Sequence, residues 1–221
     1  MPKKRRIALE NAKRLRTYFG ERTYLRTWWG NARRFMVRFK PAFIKGKRGT
    51  YVIDIGVMTH EAQFGIRLAI AKDKSLVNLM VARLEPKGKI IQIKSIQGEP
   101  ERDYWRPVGR TLLPALREFE QVTKTKAGNY LIQELKRQGK EMGYKSITLV
   151  KPEKLPNFAY PATTLAWQKR VDKLKEKYGG NIHKAIAEIK AKQQELMKKF
   201  YYGLAESEVF VDKGNYWELE L

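Results

Sequence analysis

The sequence predicts a mixed α/β fold: a sheet that opens with an antiparallel meander, is followed by helices and closes on a short hairpin. Three observations predict it. Residues 51–96 hold four strand-like apolar runs, the last three joined by short turns. After residue 98 the apolar spacing becomes helical, with one buried-type strand between helices. The charge is lopsided: residues 1–50 carry 16 Lys and Arg against 2 acidic side chains, and the last 21 residues carry 1 against 5. That asymmetry predicts a basic arm joined to a more ordinary domain.

In chain order, residues 6–19 have the helical spacing of Ile7, Leu9, Leu15 and Tyr18. Residues 35–40 read as a strand stopped by Pro41, and residues 45–49 as a turn. Residues 51–58, 64–71, 76–84 and 89–96 are the four strands; the last alternates apolar and polar, so one of its faces is expected to be wet. Residues 108–122 read as a helix that Pro114 should end or kink. Residues 129–142 form an amphipathic helix with Gly143 as its C-cap glycine, and 144–150 a buried strand. Prolines 152, 156 and 161 mark a loop. A charged helix over 167–178 follows, then one capped by Asn181 that runs to about Tyr201. Residues 208–211 and 216–221 close the chain as a hairpin around Asp212–Asn215. The domains expected are the arm, 1–50, and a domain over 51–221 with an inserted helical segment, 151–195, that offers a surface for a homodimer, a lid or a spacer.

Composition narrows the chemistry. The 221 residues include 46 Lys and Arg against 23 Asp and Glu, a net charge of +23. Such a surface attracts polyanions. No cysteine is present, which excludes disulfides, thiolate metal sites and thiol catalysis. With two histidines, His60 and His183, no multi-histidine metal site is expected. No apolar run is long enough to span a membrane, and the basic start lacks the apolar stretch of a secretory signal. Elimination leaves a cytoplasmic or virion-internal setting. In the arm, Tyr18, Phe19, Tyr24, Trp28, Trp29, Phe35, Phe39 and Phe43 interleave with arginines. Rings stack on unpaired bases and guanidinium groups contact phosphates. The nucleic-acid contacts expected are Lys3, Lys4, Arg5, Arg6, Arg14, Arg16, Arg26, Arg33 and Arg34. The plainer reading of the rings is that they pack the arm onto the domain. Lys3–Arg6 also fits a weak nuclear-import pattern.

The order of elements from residue 64 resembles the GNAT family of acyl-CoA-dependent N-acyltransferases. Gly128 to Leu135, continued through Gly143 to Leu149, is similar to the family's central helix and following strand. Lys199 to Leu204, Glu206 to Val211 and Tyr216 to Leu221 are similar to its last helix and hairpin. The match covers about half the chain. It implies a mixed sheet with helices on both faces, acetyl-CoA as acyl donor and an amine acceptor; the charge, independently, puts that acceptor on or near a nucleic acid, RNA or DNA. It also implies a phosphate loop at Lys124, Lys126, Ala127, Gly128 and Asn129, where Lys126 stands in place of a glycine. A second copy, Arg106-Pro107-Val108-Gly109, lies upstream. Backbone donors to the acyl group fall at Lys94, Ser95 and Ile96. Tyr201 takes the position of the acid that protonates the leaving thiolate, with Tyr202 one residue away. The base falls to Glu99, with Asp103 and Glu85 as alternatives. No metal is implied. The degraded loop leaves a second reading open: a nucleic-acid-binding or virion protein on the same fold, without the chemistry.

Overall fold

A computed structural model describes residues 32–58, 63–72, 75–98, 109–155 and 165–221. The helix expected over residues 6–19 lies outside them. Helix α1 covers residues 32–38. Strands β1 (Ala42–Lys45), β2 (Thr50–Met58), β3 (Gln63–Lys72), β4 (Ser75–Lys87) and β5 (Ile90–Gly98) follow. Helices α2 (Gly109–Thr123) and α3 (Ala127–Glu141) lead into β6 (Ser146–Val150). A 3-10 turn at Pro152–Lys154, helices α4 (Leu165–Lys177) and α5 (Ile182–Ser207), and strands β7 (Val211–Asp212) and β8 (Tyr216–Glu220) complete the chain. Eight strands form one mixed sheet in the order β1-β2-β3-β4-β5-β6-β8-β7. Strands β1 to β5 are successive antiparallel neighbours, and β5 pairs with β6 in parallel.

The chain divides into two compact units. The first runs through Leu149 and takes back Glu218–Leu221; the second is Val150–Trp217. In the first, the register places Tyr51, Ile53, Ile55, Phe64, Ile66, Leu68, Ala82, Leu84, Ile91 and Ile93 on one face of the sheet. Each of these is buried. All three helices of this unit pack there. Phe35 of α1 meets Phe64 edge-on at 5.7 Å, and Phe119 of α2 meets Tyr51 at 5.4 Å. A Cβ on Gly139 of α3 would lie 2.9 Å from the Ile91 Cδ1 methyl, which would have to shift to make room, so the glycine lets that helix sit close on the sheet. The described helices of this unit share that face. The opposite face carries a buried ion pair, Asp54 with Arg67, whose Nε and Nη2 donate at 2.6 and 3.0 Å.

Three local expectations change. Residues 35–40 are not a strand. Ala32, Phe35, Met36 and Phe39 are buried while Arg33, Arg34, Val37 and Arg38 are exposed, which is the period of a helix. Pro41 ends it, as it would have ended a strand. Pro114 does not stop α2, which continues to Thr123. The last hairpin is shorter than expected, because α5 runs on to Ser207 and Val209 takes a positive φ of 59°. Strand β7 is left with two residues.

In the second unit α4 and α5 form a helical hairpin turned by Gly179 and Gly180, both at positive φ. Asn181 caps α5 by accepting from the Lys184 N–H at 3.1 Å. Glu188 collects Lys192, Tyr178 and Lys177, and these partners, Lys192 foremost, hold its carboxyl down at about 2.

Candidate functional site

Strand β5 changes character at residue 94. In the β4/β5 ladder Leu84 faces Ile93 while Arg83 faces Ser95, so Lys94 is an extra residue, a β-bulge. The parallel pairing with β6 stops at the same place: Ile93 faces Leu149, and the rest of β5 has no β6 partner. Beyond the bulge, Ser95 to Gly98 continue the ladder with β4. A bulge re-aims the backbone, and a parted parallel pair opens an edge at the carboxyl ends of strands, where ligands enter α/β sheets. The signal for this was present only as the end of the apolar alternation at Ile96.

Two side chains mark the spot. Lys94 is exposed and pairs with Glu85 at 2.7 Å; Glu85 also holds Lys87 at 3.0 Å. Burial pushes the Glu85 carboxyl up, but Lys94 and Lys87 together bring it below the ordinary value. It is a poor base in that setting. Ser95 is buried, and its Oγ has no hydrogen-bond partner. A buried hydroxyl left unpaired costs free energy, and such atoms cluster where a ligand or water completes the site. Ile96 is buried beside it.

Helix α3 packs over β3 and β4. Its last turns reach Ile91 through Gly139, whereas near its start Tyr130 packs on Phe119, which packs on Tyr51. Tyr51 faces Ile70 and Ile70 faces Val77, at the far end of β4. The α3 N-terminus therefore lies toward the end of the sheet where β5 leaves β6. That terminus is not open. The Glu120 carboxylate of α2 accepts the Ala127 N–H at 3.0 Å and pairs with Lys126 at 3.7 Å. Thr123 and Thr125 close the turn on themselves, their hydroxyls donating to backbone carbonyls. Lys124 has a positive φ of 55°. Ala127 and Gly128 are buried, and Asn129 is half-buried. An anion at this start would have to displace Glu120. The upstream copy also runs into a helix, since α2 begins at Gly109, while residues 106–108 lie outside the described residues.

The remaining expected residues are scattered. Tyr201 is buried on α5, edge-on to Phe200 at 5.4 Å. Tyr202 is exposed; its hydroxyl donates to Glu153 at 3.4 Å and its ring meets Trp217 at 4.9 Å. Glu99, Asp103, His60 and the basic residues Lys3, Lys4, Arg5, Arg6, Arg14, Arg16 and Arg26 lie outside the described residues. Arg33 and Arg34 are exposed on α1, and His183 is exposed at the start of α5. Among the described residues no cluster of His, Asp and Glu is placed to hold a metal ion, and no helix is long and apolar enough to cross a membrane.

Comparison of the chain with protein families, with curated proteins and with solved structures found no match in any of the three.

Proposed function

We propose that this protein is an acyl-CoA-dependent N-acyltransferase that works on or beside a nucleic acid. The observation that carries the first half is the parting of β5 from β6 at a bulge, beside the unpaired Ser95 hydroxyl. The order of meander, helices, parallel strand, helix and hairpin supports it, being the order on which the likeness to GNAT enzymes rests. The acyl-CoA would bring the acyl group as a thioester. The acceptor amine attacks the carbonyl carbon; the C–N bond forms, the C–S bond breaks, and negative charge passes through the carbonyl oxygen. Backbone N–H groups at Lys94 and Ser95 are the donors that would meet that charge, with the Ser95 hydroxyl as a further donor. The ammonium proton leaves to a base, for which Glu99 is the candidate, and the thiolate takes one from Tyr201, as the likeness implies. The Glu120 cap opposes a phosphate at Gly128, so Gly109, at the start of α2, is the better supported end for the pyrophosphate. The second half rests on the net charge of +23.

The same Glu120 cap favours a second reading, a nucleic-acid-binding protein without acyl chemistry. Calorimetric titration with acetyl-CoA at about 0.3 M salt, where diffuse phosphate attraction is screened, separates the two. Saturable one-to-one binding supports the enzyme. No binding, with RNA or DNA still retained, supports the second reading.

A further inference from the structure

We propose that a cationic cleft at the opposite end of the β5/β6 pair binds a phosphate group of a nucleic-acid backbone. This rests on the nucleic-acid half of the function above and is independent of the acyl half. The cleft holds about 220 Å³ and is lined from three elements: Arg34, Phe35 and Arg38 of α1, Gly88 and Lys89 of the β4/β5 turn, and Met142, Gly143 and Tyr144 after α3. Sites for drug-sized ligands span about 300–1,000 Å³. The smaller space here suits a phosphate with part of its sugar.

Three cations and no carboxylate line it. Arg38 has a structural role, since its Nη1 donates to the Met142 carbonyl at 3.1 Å, where the α3 dipole is negative. Arg34 and Lys89 have no such partner: neither forms an ion pair among the described residues. The nearest acid in sequence, Glu141, is already held by Lys40 at 2.9 Å and Arg137 at 2.7 Å. Cations gathered without a counter-charge repel one another, and an anion relieves that.

The shape agrees with the charge. Gly88 and Gly143 have positive φ of 57° and 82°, and a Cβ on either would meet nothing within 4 Å, so two bare turns leave the rim open. Gly143 completes the C-terminal cap of α3: its N–H donates to Lys140 at 3.1 Å and the Tyr144 N–H donates to Gly139 at 3.0 Å. The walls are therefore set before any ligand arrives. Phe35 is braced edge-on by Phe64 and by Tyr144, at 5.7 and 5.6 Å. Burial raises the Tyr144 phenol, against a smaller pull from Arg38 and Arg34, so it stays a neutral donor. Guanidinium, ammonium and phenol groups are the usual donors to phosphate oxygens. Exposed Arg33, Lys140 and Lys145 lie next in sequence to lining residues or one turn before them, and extend the basic surface. One small anion would not call for that extension; a strand of phosphates would.

The test is fluorescence anisotropy with a labelled single-stranded RNA of about twelve nucleotides, a length within the usual single-strand site size, at about 0.2 M salt. The Arg34→Gln/Lys89→Gln protein is compared with a charge-matched control, Lys173→Gln/Lys175→Gln, on the exposed side of α4. The cleft variant is expected to lose about tenfold or more in affinity, with the salt slope reduced by about one, and the control about twofold or less. Equal losses would overturn the site and leave only overall charge. A free nucleoside monophosphate that binds as tightly as the RNA, and loses the same factor in the cleft variant, would overturn the nucleic-acid assignment. Acetyl-CoA titration of both proteins reads the acyl half separately: its failure in both leaves the RNA comparison intact.

Discussion

At its start β5 faces β6 residue for residue, from Ile90 with Ser146 to Ile93 with Leu149, and the turns beside it are closed by glycine caps and backbone hydrogen bonds. The Lys145 N–H donates to the Lys89 carbonyl at 2.7 Å, and the Leu221 N–H to the Lys145 carbonyl at 2.9 Å. What is left without an ion-pair partner there, among the described residues, is charge, on Arg34 and Lys89. At the other end of the same strand the balance is reversed. The ammonium of Lys94 is paired with Glu85, while the ladder to β6 has ended and the Ser95 hydroxyl is unpaired. One end is finished in its backbone and open in its charge. The other is finished in its charge and open in its polar atoms. The first suits a diffuse anion such as a phosphodiester, and the second suits a small group that takes directed hydrogen bonds.

Four substitutions probe that contrast, in falling order of effect. Asp54→Ala breaks the sheet that both ends share. It leaves the half-buried Arg67 without its carboxylate and should cost about 2–4 kcal/mol, read by urea denaturation; a loss below about 1 kcal/mol would show the pair to be solvated. Glu118→Gln acts at the β1/β2 turn, away from both ends. Glu118 accepts from the Tyr51 hydroxyl at 3.0 Å and from the N–H groups of Lys47 and Arg48. The change should cost about 1–3 kcal/mol and leave both binding activities alone. The same residue predicts acid sensitivity. Burial raises its carboxyl, but the Tyr51, Lys47 and Arg48 hydrogen bonds together bring it below the ordinary 4.5. Its contribution is thus complete above about pH 4.5 and is lost as pH falls through the lowered folded value. The Gln variant should show a flatter stability–pH curve below pH 5 than the parent.

Glu120→Ala removes the carboxylate that accepts the Ala127 N–H and should cost about 1 kcal/mol. If acetyl-CoA affinity rises, the phosphates sit at the α3 start; if it is unchanged, they sit at the α2 start. Ser95→Ala carries the smallest effect and the opposite sign. Deleting an unpaired buried hydroxyl should leave stability unchanged or raise it by up to about 1 kcal/mol, while acetyl-CoA binding weakens. A loss of stability with binding intact would assign that hydroxyl to the core.

The strands of the meander, the amphipathic α3 with its Gly143 cap, and the Asn181 cap of α5 were legible because each is a local pattern of period or punctuation. The N-terminal end of the site was not. Residues 35–40 look like a strand when taken alone, because their aromatic and branched side chains hide the helical period that only Ala32 completes. Arg34 and Arg38 share a helix face only once that period is seen, and the turns holding Lys89 and Tyr144 meet them through tertiary contact. The bulge at Lys94 was out of reach for another reason. It depends on the register of two ladders at once, and within the strand only the broken alternation at Ile96 marks it. The Glu120 cap is likewise a contact between two helices, so the sequence pointed to the α3 start as a phosphate loop without showing that a carboxylate had taken it.

The most direct test of the contrast between the two ends is amide hydrogen exchange of the full chain, alone, with acetyl-CoA and with single-stranded RNA. The account predicts that acetyl-CoA slows exchange in peptides covering residues 93–98. It predicts that RNA slows exchange in peptides covering residues 33–38, 87–89 and 142–145. Protection of the same peptides by both ligands, or of neither set, would contradict it.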